Sequence, residues 1–129
     1  MTAFEQAFDA LRGLIRDAQG IYPCVNVGAL PPGDSMATAL STGSETGTDL
    51  ALHGDLDLDF VLNARHRSQR AVLGALTDVH YRLSRMKDLP GGEGWQILSI
   101  ATSAYPSYLE HDGGQYLYGS ALRVLLYLA

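Results

Sequence analysis

The apolar residues of this chain follow two periods, one typical of helices and one typical of strands. The first runs at helical spacing and predicts an amphipathic helix over about Ala3 to Gln19. Thr2, with Glu5 three residues later, matches a capping box at its start. The apolar face of this helix consists of Phe4, Phe8, Leu11, Leu14 and Ile15. We expect Phe8 and Leu11 to be buried.

A second amphipathic helix is predicted between Ser68, which can cap its start, and about Met86. Its buried stripe consists of Val72, Leu76, Val79 and Leu83, widened by Leu73 and His80. The segment Leu89–Gly94, which reads L-P-G-G-E-G, ends this region as a loop.

Strict alternation predicts a half-buried strand from about Leu56 to Ala64. Its apolar side carries Leu56, Leu58, Phe60 and Leu62, and the opposite side carries Asp55, Asp57, Asp59 and Val61. Two more strands are predicted, one over Trp95–Ala104 and one from Gln115 onward. The intervening segment Tyr105–Gly114 is interpreted as a connection.

The region between the first helix and the Asp-rich strand predicts shorter extended segments. Val25–Val27 is typical of a short strand. Ser35–Ser41 and Thr48–Leu52 are interpreted as a hairpin whose polar tip is Gly43–Gly47.

The strand that starts at Gln115 is apolar on both faces. A strand of this kind must be covered on both sides, and a chain of 129 residues has few elements for that task. The pattern therefore predicts an α+β fold in which a mostly antiparallel sheet packs against two helices. We expect one domain over residues 1–129, with part of its surface closed by another subunit.

Composition narrows the classes of function. The net charge of −5 argues against a protein that binds nucleic acid through the phosphates of the nucleic acid. A single cysteine, Cys24, excludes an internal disulfide and is expected to be a small buried apolar side chain. The sequence MTAFEQAF lacks the features of a signal peptide, and no apolar run reaches membrane-spanning length. We therefore expect a soluble protein made in the cytoplasm, without membrane contact.

The row of Asp55, Asp57 and Asp59 is the strongest candidate for chemistry, because carboxylates two residues apart on a strand point the same way. Such a row can hold a divalent cation, or it can be the solvated face of the strand or an assembly surface. The EF-hand glycine and distal glutamate are absent, and the histidines lack metal-ligand spacing. We predict no catalytic residue, no metal and no cofactor.

Charged and aromatic clusters suggest contacts between proteins. Six of the nine cationic residues lie between Arg65 and Lys87, where they can meet an acidic neighbour or complement a helix end. Arg123 is the only charge in the last strand, so it should have an intersubunit acidic partner or lie at an exposed sheet edge. Tyrosines near the last connection suit an interface or ordinary strand composition. The candidate subunit or partner interface consists of Asp55, Asp57, Asp59, Arg67, Arg70, Tyr105, Tyr108, Tyr116, Tyr118 and Arg123.

The order of these segments resembles a family of tailed-phage minor capsid or tail terminator (head–tail joining) proteins. The resemblance rests on the N-terminal amphipathic helix, Asn26–Pro32 (N-V-G-A-L-P-P), His53–Gly54, Arg67–Leu73 (R-S-Q-R-A-V-L), Ser103–Glu110 (S-A-Y-P-S-Y-L-E) and the hydrophobic final strand. It covers nearly the whole chain. The D-L-D-L-D strand and the G-S-E-T-G segment depart from the family pattern.

The resemblance implies a structural virion protein and no catalytic residues. Its copies would form a ring, most simply a hexamer, that caps the tail tube and joins the tail to the head. The implied partners are its own copies, the tail tube protein and a head completion or connector protein, with DNA passing through the lumen without specific binding. The implied location is the head–tail junction of the virion. Two alternatives stay open: a small divalent-metal-dependent enzyme that uses the aspartate row, and a bacterial protein-interaction module.

Overall fold

The computed structural model describes residues 2–46 and 54–129, with side chains described over 2–41 and 54–129. Its elements are, in chain order, α1 (Ala3–Asp17), β1 (Asn26–Val27), β2 (Ser35–Thr46), β3 (Gly54–His66), α2 (Gln69–Ser84), β4 (Gly91–Gly92), β5 (Trp95–Asp112) and β6 (Gln115–Leu128). The chain is a single domain in which two helices pack on one mostly antiparallel sheet. The predicted α+β class is confirmed.

Helix α1 forms where its apolar spacing and its cap predict it. The Oγ1 atom of Thr2 accepts a hydrogen bond from the backbone N–H of Glu5 at 3.1 Å, which satisfies one of the free donors at the helix start. Leu11 is buried as predicted. Phe8 is only half-buried, and its ring meets Phe60 edge-on at 5.3 Å between centroids. That contact places α1 on the Phe60 side of the sheet.

Helix α2 begins after Ser68, whose Oγ accepts from the N–H of Ala71 at 3.2 Å. The buried residues of α2 are Val72, Ala75, Leu76, Val79, His80 and Leu83. The predicted stripe is therefore confirmed, with one correction. Leu73 does not widen the stripe but is 40% exposed, because it lies to one side of the face that meets the sheet.

The six strands lie in the order β1-β2-β3-β6-β5-β4. Neighbouring strands are antiparallel except β1 and β2, which are parallel. The last strand, β6, is therefore an interior strand that pairs with β3 along one side and β5 along the other. Its alternating residues Leu122, Val124, Leu126 and Leu128 are buried beneath the helices, together with the predicted apolar side of β3. The strict alternation predicted for β3 is confirmed.

Two predicted loops lie largely in strands, and a third, Leu89–Gly94, contains the two-residue strand β4. The predicted connection Tyr105–Gly114 is wrong, because β5 continues to Asp112 and leaves only Gly113 and Gly114 as the turn to β6. Register shifts interrupt its pairing with β6 at several points, which accommodates Pro106 within the strand.

The predicted hairpin tip over Gly43–Gly47 is also wrong for residues 43–46. These residues belong to β2 and pair with the start of β3, so the hairpin is formed by β2 and β3. Gly47 and the strand predicted over Thr48–Leu52 lie outside the described residues.

Cys24 is exposed, so the expectation that it is buried is wrong. It lies in the segment between α1 and β1, where its neighbours Tyr22 and Val25 point into the core. The apolar positions of this segment are thus taken by other residues, and the thiol is left at the surface.

Candidate assembly surfaces

The sheet has one covered face and one open face. Both helices lie on the face that carries Phe60 and Leu122. The other face, called here the open face, presents alternate residues of β3 and β6, which are partly or fully exposed in the single chain. These residues include Asp55, Asp57, Asp59 and Val61 on β3, and Leu117, Ala121, Arg123, Leu125 and Tyr127 on β6. The open face is therefore a mixed apolar and acidic surface.

The aspartate row and Arg123 meet on this open face. The guanidinium of Arg123 makes two hydrogen bonds to the Asp57 carboxylate, with 2.8 Å between Nε and Oδ1 and a short contact between the second nitrogen and Oδ2. Asp59 is the residue directly opposite Arg123 on β3 and adds to its electrostatic environment. Arg123 thus has its acidic partner within its own chain, and it lies in the interior of the sheet and not at an edge.

The pair fixes the charge state of Asp57. The hydrogen bonds from Arg123 and its positive charge outweigh partial desolvation and hold the pKa of Asp57 below its usual value. Both oxygens of the Asp57 carboxylate accept hydrogen bonds from the guanidinium of Arg123. The central carboxylate of the aspartate row is therefore bound to an arginine. Within residues 2–46 and 54–129, no group of three or more His, Cys, Asp or Glu residues is arranged to hold a metal ion.

Arg67 belongs to a different cluster, centred on Asp34. One Asp34 oxygen accepts from the backbone N–H of Arg67 at 3.1 Å and from the side-chain amide of Gln115 at 2.7 Å. The other lies 3.4 Å from His66 Nε2 and 3.6 Å from Arg67 Nε. Asp34 therefore joins the loop before β2, the start of α2 and the turn before β6.

Desolvation by itself would raise the pKa of Asp34. The hydrogen bonds from Gln115 and the Arg67 amide, with the charges of His66 and Arg67, outweigh it, so the pKa lies below the usual value. The Arg67 side chain itself is 80% exposed, and Arg70 is exposed on the first turn of α2. Arg67 and Arg70 remain predicted partner contacts, and they do not reach the aspartate row.

The four candidate tyrosines lie in three places. Tyr108 and Tyr118 face each other across β5 and β6, edge-on at 5.9 Å between ring centroids, and the Tyr118 hydroxyl accepts from the side-chain amide of Gln69. Tyr116 stacks on His111 with ring centroids 4.1 Å apart. Tyr105 stands apart from them and is 80% exposed.

Tyr105 lines a groove that sequence reasoning did not identify. This groove, called here the α2–β5 groove, has a volume of about 470 Å³. One wall consists of Thr77, His80, Tyr81, Ser84 and Arg85 from α2, and the other of Ile100, Ala101, Thr102, Tyr105 and Pro106 from β5. Tyr105 was predicted to lie in a connection, which left its position relative to Tyr81 on α2 undetermined. Arg85 stacks over the Tyr81 ring at 4.1 Å from its centroid.

His80 is the buried polar residue of this groove. Its Nδ1 lies 2.7 Å from the Thr102 hydroxyl, whereas its Nε2 is buried without a hydrogen-bond partner among the described residues. Burial lowers the pKa of His80, because the imidazolium form loses hydration there. The side chain therefore joins α2 to β5 in its neutral form at neutral pH.

Neither helix in the described ranges combines the length and the apolar character that crossing a membrane requires.

No known protein-family model matches this sequence, and no curated protein matches it. The fold is similar to a chain of a solved structure described as "Virion of native gene transfer agent (GTA) particle". The two chains superpose with a TM-score of 0.54 and 17% sequence identity, over 96% of this chain and 91% of the other. The similarity thus spans nearly the full length of both chains, and at this level of identity what it establishes is a shared fold.

Proposed function

We infer that this protein is a non-enzymatic structural subunit of a tailed-phage-like virion. The observation that carries this inference is the fold shared with a chain of a gene transfer agent virion over nearly the whole of both chains. The order of sequence segments, which resembles tail terminators, points independently in the same direction. The order of the sequence segments and the similarity of the backbone fold therefore support the same class of protein.

Within that class, the specific role is a ring that caps the tail tube and joins the tail to the head. Identical subunits close a ring through heterologous contacts, in which two different surfaces of each copy meet. We take the ring to be a hexamer, with the tail tube protein on one side and a head completion or connector protein on the other. The location that follows is the head–tail junction of the virion.

The open face of the sheet suits the lumen of such a ring. It carries the three carboxylates of Asp55, Asp57 and Asp59, and the guanidinium of Arg123 pairs with Asp57. A surface with residual negative charge repels the phosphates of DNA, so DNA passes through without being held. The helices, on the opposite face, then form the outer wall.

Removal of the gene tests this role in particles. Particle-producing cells without the gene should release filled heads and free tails that do not join, with tails of irregular length in negative-stain images. A plasmid copy should restore joined particles, and mass spectrometry should find the protein in them. Joined particles of normal tail length in the absence of the gene would refute the head–tail role.

A further inference from the structure

The sheet ends in two edges that are only partly covered. At one edge, β4 pairs with β5 only at Trp95 and Gln96, and in the described part of the chain no strand pairs with that side of β5 from Leu98 to Asp112. At the other edge, β1 pairs with β2 only at Ala37 and Thr38. Exposed backbone donors and acceptors along such edges are templates for pairing with another strand.

The two edges are compatible in direction. Strands β2, β3, β6 and β5 alternate in direction along the sheet, so β2 and β5 run opposite to each other. If β2 of a second copy is added to β5, the new pair is antiparallel and the alternation continues across the junction. The helices of both copies then lie on the same side of one continuous sheet.

The register of the sheet places matching side chains at the junction. Leu40 is opposite Phe60, Phe60 is opposite Leu122, and Leu122 is opposite Thr102. These residues therefore lie at one level of the sheet. A second copy that is not shifted along the strands brings its Leu40 to the level of Thr102, in the wall of the α2–β5 groove.

Leu40 has the character that this groove requires. It is 43% exposed, although its position across from the buried Phe60 puts it on the helix side of the sheet. The groove offers Ile100, Pro106 and the Tyr105 ring on that same side. Insertion of Leu40 would remove apolar surface of both copies from water.

Charge disfavours the pairing of like edges. Arg85 lines the groove, and Arg82 and Lys87 are exposed near the end of α2. Two β5 edges would bring two such basic walls together, whereas the β2 edge presents the uncharged side chain of Leu40 on the helix side of the sheet. A head-to-tail arrangement is therefore favoured over pairing of two β5 edges.

We propose that the α2–β5 groove receives the β2 edge of a second copy of this chain, with Leu40 of that copy in the groove and β2 added to the free edge of β5. The proposal rests on the proposed function, since it names the contact through which the ring closes. The donor and acceptor edges are different surfaces, so the contact is heterologous and propagates around a ring.

Charge substitution tests the contact with a matched control. Leu40→Lys places a cation beside Arg85 and should weaken self-association at least about tenfold, as measured by mass photometry with and without isolated tails. Leu73→Lys changes a leucine of similar exposure outside the groove and should have no effect. Leu40→Lys combined with Arg85→Glu should restore association, because the two charges become opposite. Thermal unfolding verifies that each variant is folded.

Cross-linking provides the second measurement. In a Cys24→Ser background, Leu40→Cys together with Thr102→Cys, the position at the level of Leu40, should give a ladder of disulfide-linked species up to the full ring under oxidation. Each single-cysteine variant should give at most dimers.

The outcomes separate the contact from the function. Rings that form with Leu40→Lys as well as in the wild type, without a ladder in the double-cysteine variant, would overturn this contact and leave the head–tail role intact. A ladder from a protein that binds neither tails nor heads would confirm the contact and overturn the role. A wild-type protein that forms no oligomer, alone or on tails, would overturn both.

Discussion

Arg123 on β6 makes two hydrogen bonds to Asp57 on the neighbouring strand β3, two residues from the position directly opposite it. The positive charge of the most apolar strand is thus neutralised on the open face. Two planar groups with matched donors and acceptors form a bidentate pair of defined geometry. The pair also explains how an apolar interior strand tolerates a charge: the guanidinium is directed out of the sheet, where its partner and water both reach it.

The first prediction follows from this pair. Arg123→Gln should raise the pKa of Asp57 towards its ordinary value, because the hydrogen bonds and the positive charge that lower it are lost. Carbon-detected NMR titration of the Asp57 carboxyl measures the change, and Asp112 at the far end of β5 is the control carboxylate. An unchanged midpoint for Asp57 would show that the pair does not persist in solution.

The same carboxylate gives a prediction about metal binding. Isothermal titration of the protein with calcium, magnesium and manganese should show no stoichiometric binding, and Asp57→Asn or Asp59→Asn should change nothing. Stoichiometric binding that either substitution abolishes would revive the alternative of a metal-dependent enzyme.

The core prediction concerns α2. Leu76 is fully buried between α2 and the sheet, so Leu76→Ala should destabilise the fold by about 2–5 kcal/mol in urea unfolding. Leu73→Ala, at an exposed position three residues earlier, should cost less than about 1 kcal/mol. Equal costs for both variants would mean that the buried face of α2 is misassigned.

His80 should make stability depend on pH. Its pKa in the folded chain lies below the unfolded value, so the folded state resists protonation, and stability declines as pH falls from the unfolded pKa towards the folded one. Urea unfolding between about pH 7.5 and about pH 5 should show this loss in the wild type and a smaller loss in His80→Gln. An identical pH dependence in both would contradict the assignment.

Asp34 should also make stability decline as pH falls, but over a more acidic range than His80. Its folded pKa is lowered, so the stability that it contributes is present above the unfolded pKa and is lost as pH falls through the folded value. Asp34→Ala removes the acceptor of the Arg67 N–H and should accelerate hydrogen exchange of that amide, whereas Asp34→Asn keeps an acceptor and should accelerate it less. Unchanged exchange in Asp34→Ala would show that Asp34 does not hold the start of α2.

Those elements whose burial is periodic could be predicted from the sequence. The alternation of β3 and the helical stripe of α2 follow directly from one buried face each, and both predictions are confirmed. The end of β5 was missed because an exposed edge strand has no buried face to impose a pattern. Its second half carries Pro106 and polar residues that resemble a loop.

Local sequence patterns could not predict which residues pair when they are distant in the sequence. The sequence predicted that Arg123 requires a partner, and only the strand order, with β6 next to β3, identifies Asp57. The α2–β5 groove depends on the same information, since it exists only because α2 lies over β5. Whether the ten candidate residues contact subunits or partners stays a prediction.

The position of β6 also has a consequence for the production of the protein. This strand leaves the ribosome after β1 to β5, yet both β3 and β5 form their main ladders with it. During synthesis the β2–β3 hairpin and α2 are therefore made before the strand that joins them to β5. Pairing between strands that are distant in sequence is also slow. A nascent chain without β6 cannot present both edges of a finished sheet, so under the proposed contact copies would not join on the polysome until β6 has been made.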